Sequence, residues 1–362
     1  MSRKFVTTWT QDIDMDFAQD ARGWEKGRRR VWDEFTEQRI REIFDHLESD
    51  PNEFFSGATA IRQHWLNQYG DNGIPPLRTI GQIMKDLGLT QPYRKSKAKG
   101  AASYLCYPEH CIHTVMGQRV LELDFVGKKF LKGHSAPLNF IGFSFKHHPK
   151  LRYFERIKGQ SGDEIINHSR KFFELFEKPD AIKMDNGFAM AGSAPQPGII
   201  SRVPLWMLSQ KITPIYAVPR KPFTQASIEG NNSVFSRKFW NARQFDSVEH
   251  VDQLLPVFNN ASIRYAGYTK SDCQEISKSF DASIYFIRQV KLLDEKASIE
   301  LAHQRFTIPN EYVNYFVFAR WQLEKEQVKI FIEKNKKPEL IANYPFKINP
   351  ISKQKLEKIF AN

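Results

Sequence analysis

The stretch Val120–Gly127, VLELDFVG, constrains the fold of this chain more than any other. Leu121, Leu123 and Phe125 alternate there with Glu122, Asp124 and Val126, which is the period-two pattern of a β-strand. The apolar residues on both sides predict a central strand. Asp124 is therefore expected to be a carboxylate carried by a core element.

Two further acids lie at the end of a predicted strand and on a predicted helix. Ala181–Met184 reads as a strand and ends directly in Asp185, and a predicted helix, Thr224–Ala242, carries Glu229. Mg²⁺ takes oxygen ligands, usually one or two carboxylates together with water and substrate phosphate. Two acids at strands and one on a helix therefore predict a divalent-metal site.

The sequence around these acids resembles a known superfamily. LELDFVG, IKMDNGFA and PRKPFTQASIEGNNSVFSRKFW are similar to the three signature blocks of DDE transposases and retroviral integrases, and most similar to bacterial insertion-sequence transposases. The resemblance covers about Gln118–Tyr268. Asp185 and Glu229 are 44 positions apart, longer than is usual in the family, and the surplus is expected in Ala189–Gly198.

The resemblance implies a fold and an activity. The fold would be an α/β RNase H-like core, a five-stranded mixed sheet with flanking helices, preceded by an all-α helix-turn-helix region and followed by a small β-barrel. The activity would be that of a transposase, which cuts element ends and joins the 3′-hydroxyl to target DNA. Asp124, Asp185 and Glu229 would hold two Mg²⁺ (or Mn²⁺) ions, with Asp124 bridging them. The implied partners are the terminal inverted repeats, target DNA, further copies of the chain assembled on DNA, and an ATPase helper.

Hydrophobic periodicity independently predicts an α/β pattern in the core, residues 116–268. The predicted elements are strands Val120–Val126, Leu138–Phe145, Leu151–Ile157, Ala181–Met184 and Thr213–Val218, and helices Asp163–Phe176 and Ile200–Ser209. On the helix that carries Glu229, a buried stripe is expected at Ile228, Phe235 and Phe239. Beside it runs a polar stripe, from which Gln225, Asn232 and Arg237 are predicted to contact DNA. Lys183 and Asn186, next to Asp185, are also candidates for DNA contact.

The amino-terminal part divides into an arm (1–34), a helical region (35–90) and a basic linker (91–115). Three helices are predicted at Phe35–Leu47, Ser56–Tyr69 and Leu77–Leu87. The third would present Arg78, Thr79, Gln82 and Lys85 to a major groove; a purely structural helical bundle is the alternative. In the linker, Arg94, Lys95 and Lys97 are expected to follow phosphates, or to belong to a solvated tether. Cys106, His110, Cys111 and His113 match no standard zinc spacing.

The carboxy-terminal part is predicted as a helical linker (269–302) with a helix at Ser283–Lys296, then the small β-barrel (303–362). Val328–Ile332 and Leu340–Tyr344, separated by a turn at Asn335–Pro338, indicate a hairpin.

Composition narrows the function classes. The 362 residues carry a formal net charge of +12, which favours a polyanionic partner. No apolar run reaches the length of a membrane span, and the chain does not open on a signal-peptide pattern. Three cysteines favour a reducing compartment over a disulfide framework, so a bacterial cytoplasmic, nucleoid-associated protein is expected.

Three other functions compete with a transposase. The first is an RNase H-like structure-specific nuclease, which generally keeps a fourth carboxylate near its site. The second is a domesticated transposase kept as a DNA-binding or regulatory protein, for which loss of one acid would have been an indication. The third is a basic α/β protein with fortuitous acids, which the ordered match of three blocks disfavours.

The basic clusters at 26–30, 94–99 and 325–358 predict that phosphate contacts dominate DNA binding. Binding to any duplex should weaken steeply with salt, because log K falls by about 0.9 per phosphate contact per tenfold rise in salt. Measuring the affinity for one duplex at two salt concentrations checks this, and a flat dependence would contradict it.

Overall fold

The computed structural model describes residues 32–90, 107–108, 110, 119–192, 196–270 and 280–360. Several residues discussed above lie outside these ranges: those at 26–30, Arg94, Lys95 and Lys97, and Cys106, Cys111 and His113. No helix in the described ranges is both long and apolar enough to cross a bilayer.

Three helices occupy the predicted positions in the amino-terminal part: α1 (Glu34–Ser49), α2 (Ala58–Tyr69) and α3 (Leu77–Asp86). α1 begins after Asp33, whose carboxylate accepts the Thr36 N–H at 2.7 Å and caps the helix. The three helices are confirmed. The placement of α3 in a DNA groove stays a prediction.

A mixed nine-stranded sheet forms the centre of the described chain. Its core part holds β1 (Val120–Lys129), β2 (Leu138–Phe145), β3 (Tyr153–Ile157), β4 (Ala181–Met184) and β5 (Thr213–Tyr216), ordered β3-β2-β1-β4-β5. β1 pairs with β2 antiparallel and with β4 parallel. These are the five strands predicted from the sequence, and a mixed sheet of this size agrees with the expected core.

Helices flank the core strands. They are α4 (Gly162–Leu175), the short α5 (Phe188–Ala191), α6 (Arg202–Ser209), α7 (Ala226–Val234) and α8 (Val248–Ala266). A 3₁₀ turn, Pro222–Gln225, leads into α7, and a π-helical stretch, Phe235–Trp240, continues it. The region of the predicted helix Thr224–Ala242 thus consists of successive 3₁₀, α and π helical segments.

The carboxy-terminal part corrects the sequence prediction. β6 (Ser283–Gln289), β7 (Lys291–Leu293), β8 (Lys296–Leu301), β9 (Gln304–Thr307), β10 (Phe316–Gln322), β11 (Gln327–Lys334) and β12 (Lys337–Pro345) follow, then α9 (Pro350–Phe360). The helix predicted at Ser283–Lys296 is therefore wrong. β6 is buried on both faces, and a short apolar run of that kind does not reveal its period.

The expected small β-barrel is also replaced. β6, β10, β11 and β12 extend the core sheet beyond β5 in the order β5-β6-β10-β11-β12, while β7, β8 and β9 form a separate three-stranded sheet. β6 pairs with β5 in parallel, through Ile215 and Tyr216. The hairpin prediction is confirmed, since β11 and β12 pair antiparallel and turn at Asn335 and Lys336, both at positive φ.

The chain around Gly198, next to the segment where the surplus residues are expected, contacts the carboxy-terminal part. Gly198 accepts the Asn349 N–H at 3.0 Å, and the Ile200 N–H donates to the Ser352 hydroxyl at 2.8 Å. Gly198 has φ +73° and lies against the carbonyl of Lys347, where a side chain would collide. Gly198 and Ile200 therefore join distant parts of the chain, and the location of the surplus residues stays a prediction.

The three amino-terminal helices share a hydrophobic cluster with the core, residues 116–268. Phe54 and Phe55, between α1 and α2, lie 5.1 and 6.1 Å from the ring of Phe258 on α8. Arg264 of α8 also pairs with Glu53 at 2.9 Å. The helical region is therefore a packed part of the fold.

Phe258→Ala should destabilise the full chain by about 3–5 kcal/mol, because it empties a fully buried aromatic site shared by both regions. Phe35→Ala is the size-matched control, since Phe35 is 61% exposed, and should cost less than about 1 kcal/mol. Urea unfolding of both variants checks this. Equal losses would mean that the two regions do not share a core.

Candidate active site

Parallel pairing places two of the three acids. Glu122 on β1 is the register partner of Lys183 on β4. Two residues further along each strand direction stand Asp124, within β1, and Asp185, directly after β4. Since side chains two apart share a face, both acids lie on the face that carries Glu122 and Lys183, at the carboxyl end of β4.

Helix α7 brings the third acid over this face. Gly142 of β2 stands opposite Asp124, and a Cβ there would come within 3.1 Å of both Asn232 Oδ1 and Ile228 Cδ1. The missing side chain lets α7 lie close to the sheet. Asn232 then donates its Nδ2 to Asp124 Oδ2 at 3.1 Å. The predicted buried stripe is confirmed: Ile228, Phe235 and Phe239 are fully buried.

Asp124 lies close enough to Asp185 and Glu229 for their charges to act on it. Burial, followed by the negative charges of Asp185 and Glu229, raises the pKa of Asp124 to about 7. Burial also raises the pKa of Glu229, with a smaller contribution from the charge of Glu122. Asp185 is oriented by its own turn, because the Gly187 N–H donates to its Oδ1 at 2.8 Å. The site therefore concentrates negative charge that no basic group among these contacts offsets.

The carboxylate oxygens suit a divalent metal chemically, but they do not converge on a single ion. Within the residues that the structure describes, no three His, Cys, Asp or Glu side chains converge closely enough to hold one ion together. A two-ion arrangement would need fewer protein ligands per ion, and Asp124, Asp185 and Glu229 are the residues that would hold the ions. Hard oxygen donors with a raised pKa suit Mg²⁺ or Mn²⁺, since a cation would relieve their repulsion.

Several predicted DNA contacts are used inside the fold. Lys183 is 1% exposed and bonds Glu122 and the Thr224 carbonyl, so it does not reach a phosphate. Gln225 is buried and donates to the Lys183 carbonyl at 3.4 Å. Asn186 donates to Ala217 O at 2.7 Å and accepts from Arg288 Nη2 at 2.8 Å. Asn232 is half-buried against Asp124.

The remaining predicted contacts lie on the surface. Arg237 is exposed beyond α7. On α3, Arg78, Gln82 and Lys85 are exposed and Thr79 is half-buried, with Gln82 donating to Asp86 at 2.9 Å. These side chains keep a DNA-binding role as a prediction.

Two residues near the site escaped the sequence reasoning. Glu122 is fully buried, and an acid inside an apolar strand signals a buried partner, so its importance could have been inferred. Arg288 of β6 holds Asn186 beside Asp185, and burial lowers its pKa to about 10. No local pattern links Arg288 to residues about a hundred positions earlier, and the helix predicted there concealed it.

Comparisons with known proteins give only distant likenesses. No protein-family model and no curated protein matches the chain. Among solved structures, the catalytic core domain of BIV integrase is 12% identical, covering 41% of this chain and 82% of that one, with a TM-score of 0.28. A simian T-cell lymphotropic virus intasome, in complex with PP2A regulatory subunit B56 gamma, is 11% identical (81% and 93% covered, TM-score 0.35). The Mos1 mariner paired end complex with Mn is also 11% identical (74% and 83% covered, TM-score 0.30). These values are too low to assign a function to this chain.

The raised pKa of Asp124 predicts a pH-dependent stability in EDTA. Its carboxyl ionises near 3.8 ordinarily and near 7 in the fold, so the folded state holds the proton more tightly and loses stability as pH rises between these values. Asp124→Asn removes that cost and should be about 2 kcal/mol more stable than the wild type at pH 8, with a smaller difference at pH 5.

Urea unfolding at the two pH values measures this, with the exposed Asp246→Asn as control. Adding Mn²⁺ should reverse the order, because only the wild type keeps the ligand. If Asp124→Asn is no more stable than the wild type at pH 8 in EDTA, the charge of Asp124 does not destabilise the metal-free protein.

Proposed function

We propose that this chain is a DNA transposase of the DDE type from a bacterial mobile element. The observation that carries the proposal is the placement of Asp124, Asp185 and Glu229, which β1, the end of β4 and α7 bring to one face of the sheet. Phosphoryl transfer requires positioning and charge stabilisation more than covalent chemistry by the protein. Three coupled carboxylates at an open strand end provide the metal ligands for that task.

The chain's own residues would do the following. Asp124 would be shared between two Mg²⁺ or Mn²⁺ ions, Asp185 would serve one and Glu229 the other. When bound, such ions lower the pKa of the attacking oxygen and stabilise the leaving oxygen of an in-line displacement. Asn232 orients Asp124, and the Gly187 N–H orients Asp185. Water would first attack a phosphodiester at the element's end and break its P–O3′ bond, which frees the element's 3′-hydroxyl. That hydroxyl would then attack a target phosphodiester, join to its phosphorus and release the target's own 3′-hydroxyl.

DNA would be the partner throughout. The features that support it are the +12 charge, the exposed Arg237 beyond α7 and the exposed face of α3. Assembly into an oligomer on paired ends, and the need for an ATPase helper, remain predictions from the family resemblance.

An RNase H-like nuclease is the nearest competitor, and Glu122 bears on it. This fourth acid lies near the site, yet it is fully buried. Its two oxygens face Lys183 Nζ at 3.5 Å and the Ile228 N–H at 3.1 Å. It is therefore not directed to the open side as a fourth metal ligand. Because Asp124, Asp185 and Glu229 are all present, a domesticated protein that only binds DNA is disfavoured.

Glu229→Gln should reduce strand cleavage and joining by at least a hundredfold, because the amide keeps the volume but lacks the charge that holds a hard cation. The fold should survive, since Glu229 is exposed. Binding to DNA should be unchanged or slightly tighter. The assay is Mn²⁺-dependent nicking of a plasmid, and joining of oligonucleotides that carry the inverted repeats flanking the gene.

Glu249→Gln is the matched control, since Glu249 is exposed in the first turn of α8. Glu177 would be a poor control, because it is buried and bonded to His147. A Glu229→Gln protein that still joins strands near the wild-type rate would refute the proposed site.

A further inference from the structure

A buried ion pair lies directly behind the proposed acids. Lys183 Nζ is 3.5 Å from Glu122 Oε1, and the two side chains are 1% and 0% exposed. Burying two charges costs free energy that their attraction often fails to recover, so replacement by apolar residues of similar size is frequently neutral for stability. The pair therefore calls for an explanation other than stability.

Both members also bond the chain where it enters α7. Lys183 Nζ donates to the Thr224 carbonyl, and Glu122 Oε2 accepts the Ile228 N–H at 3.1 Å. The Gln225 side chain bonds the Lys183 carbonyl in the same region. The sheet thus grips the first turn of the helix from two adjacent strands, one residue before Glu229.

This contact supplies what the helix lacks locally. Gln225, at the N-cap position of α7, makes no side-chain capping bond. Free N–H groups in a first helical turn are normally capped by a nearby side chain and favour negative charge. Glu122 performs that role from β1, about a hundred residues earlier, and fixes where the helix starts relative to the strand that carries Asp124.

We propose that Glu122 and Lys183 are positioning residues that fix the start of α7 against β1 and β4, and thereby set the distance of Glu229 from the two strand acids and its contribution to divalent-metal binding. The inference rests on the proposed function, since it assumes that Glu229 is a metal ligand. It assigns no metal contact to Glu122 or Lys183 themselves.

The test variant is Glu122→Leu/Lys183→Met, which removes both charges and both bonds to α7 while keeping apolar volume. The control is Arg119→Gln/Asp180→Asn. That pair, at 2.7 Å, ties the start of β1 to the residue just before β4, at the end away from the acids. Mn²⁺ binding to the full chain without DNA is measured by calorimetry, and folding by urea unfolding.

The Mn²⁺ binding step that Glu229→Gln weakens should weaken at least tenfold in the Leu/Met variant and less than twofold in the control. If the Leu/Met variant does not fold, Glu122→Gln/Lys183→Met decides. It keeps an acceptor for Ile228 but loses the bond to Thr224, and should weaken that step at least threefold.

A folded variant with wild-type Mn²⁺ affinity, or an equal loss in the control, would overturn the positioning role and leave only a structural one. If Glu229→Gln itself left Mn²⁺ binding unchanged, the proposed function would fail instead, so the two failures are distinguishable.

Discussion

The parallel pairing of β1 with β4 decides where two of the three acids of the proposed site lie. Parallel strands reach their carboxyl ends at the same edge of a sheet, and open α/β sheets carry their sites there. The register that joins Glu122 to Lys183 also aligns Asp124 with Asp185. A shift of one residue would turn one of these acids to the opposite face. The apolar residues that bury both strands therefore also fix the register of the site.

On this face of the sheet, the charges near the core are paired, and the three acids lie nearer the open side. Towards the core, Lys183 neutralises Glu122 and is used up by it and by the Thr224 carbonyl. Towards the open side, the side-chain hydrogen bonds described at Asp124 and Asp185 come from the neutral donors Asn232 and the Gly187 N–H. The uncompensated repulsion remains at the open end, where a divalent cation can relieve it, and does not spread into the sheet.

The sequence predicted the elements whose signals are local. The five core strands, helices α1 to α3, the buried stripe of α7 and the β11–β12 hairpin all follow from periodicity or turn residues, and the three acids followed from these and from the family resemblance. The contacts that complete the site are not local. Glu122 caps a helix about a hundred residues away, Arg288 reaches Asn186 from β6, and Gly142 matters only because α7 lies over it. These contacts depend on pairing between segments that are distant in the sequence. β6 was not predicted because its burial on both faces hides the period of a strand.

The continuity of the sheet across β5 and β6 has a practical consequence for dissecting the chain. A fragment that stops near Tyr268, where the family resemblance ends, would leave β5 as an edge strand with unpaired backbone groups at Ile215 and Tyr216. It would also remove Phe286, which stacks on Tyr216 at 5.1 Å. Exposed apolar edges of this kind recruit strands from other molecules. Fragments that end near Tyr268 should therefore aggregate, whereas fragments that keep β6 should stay dispersed.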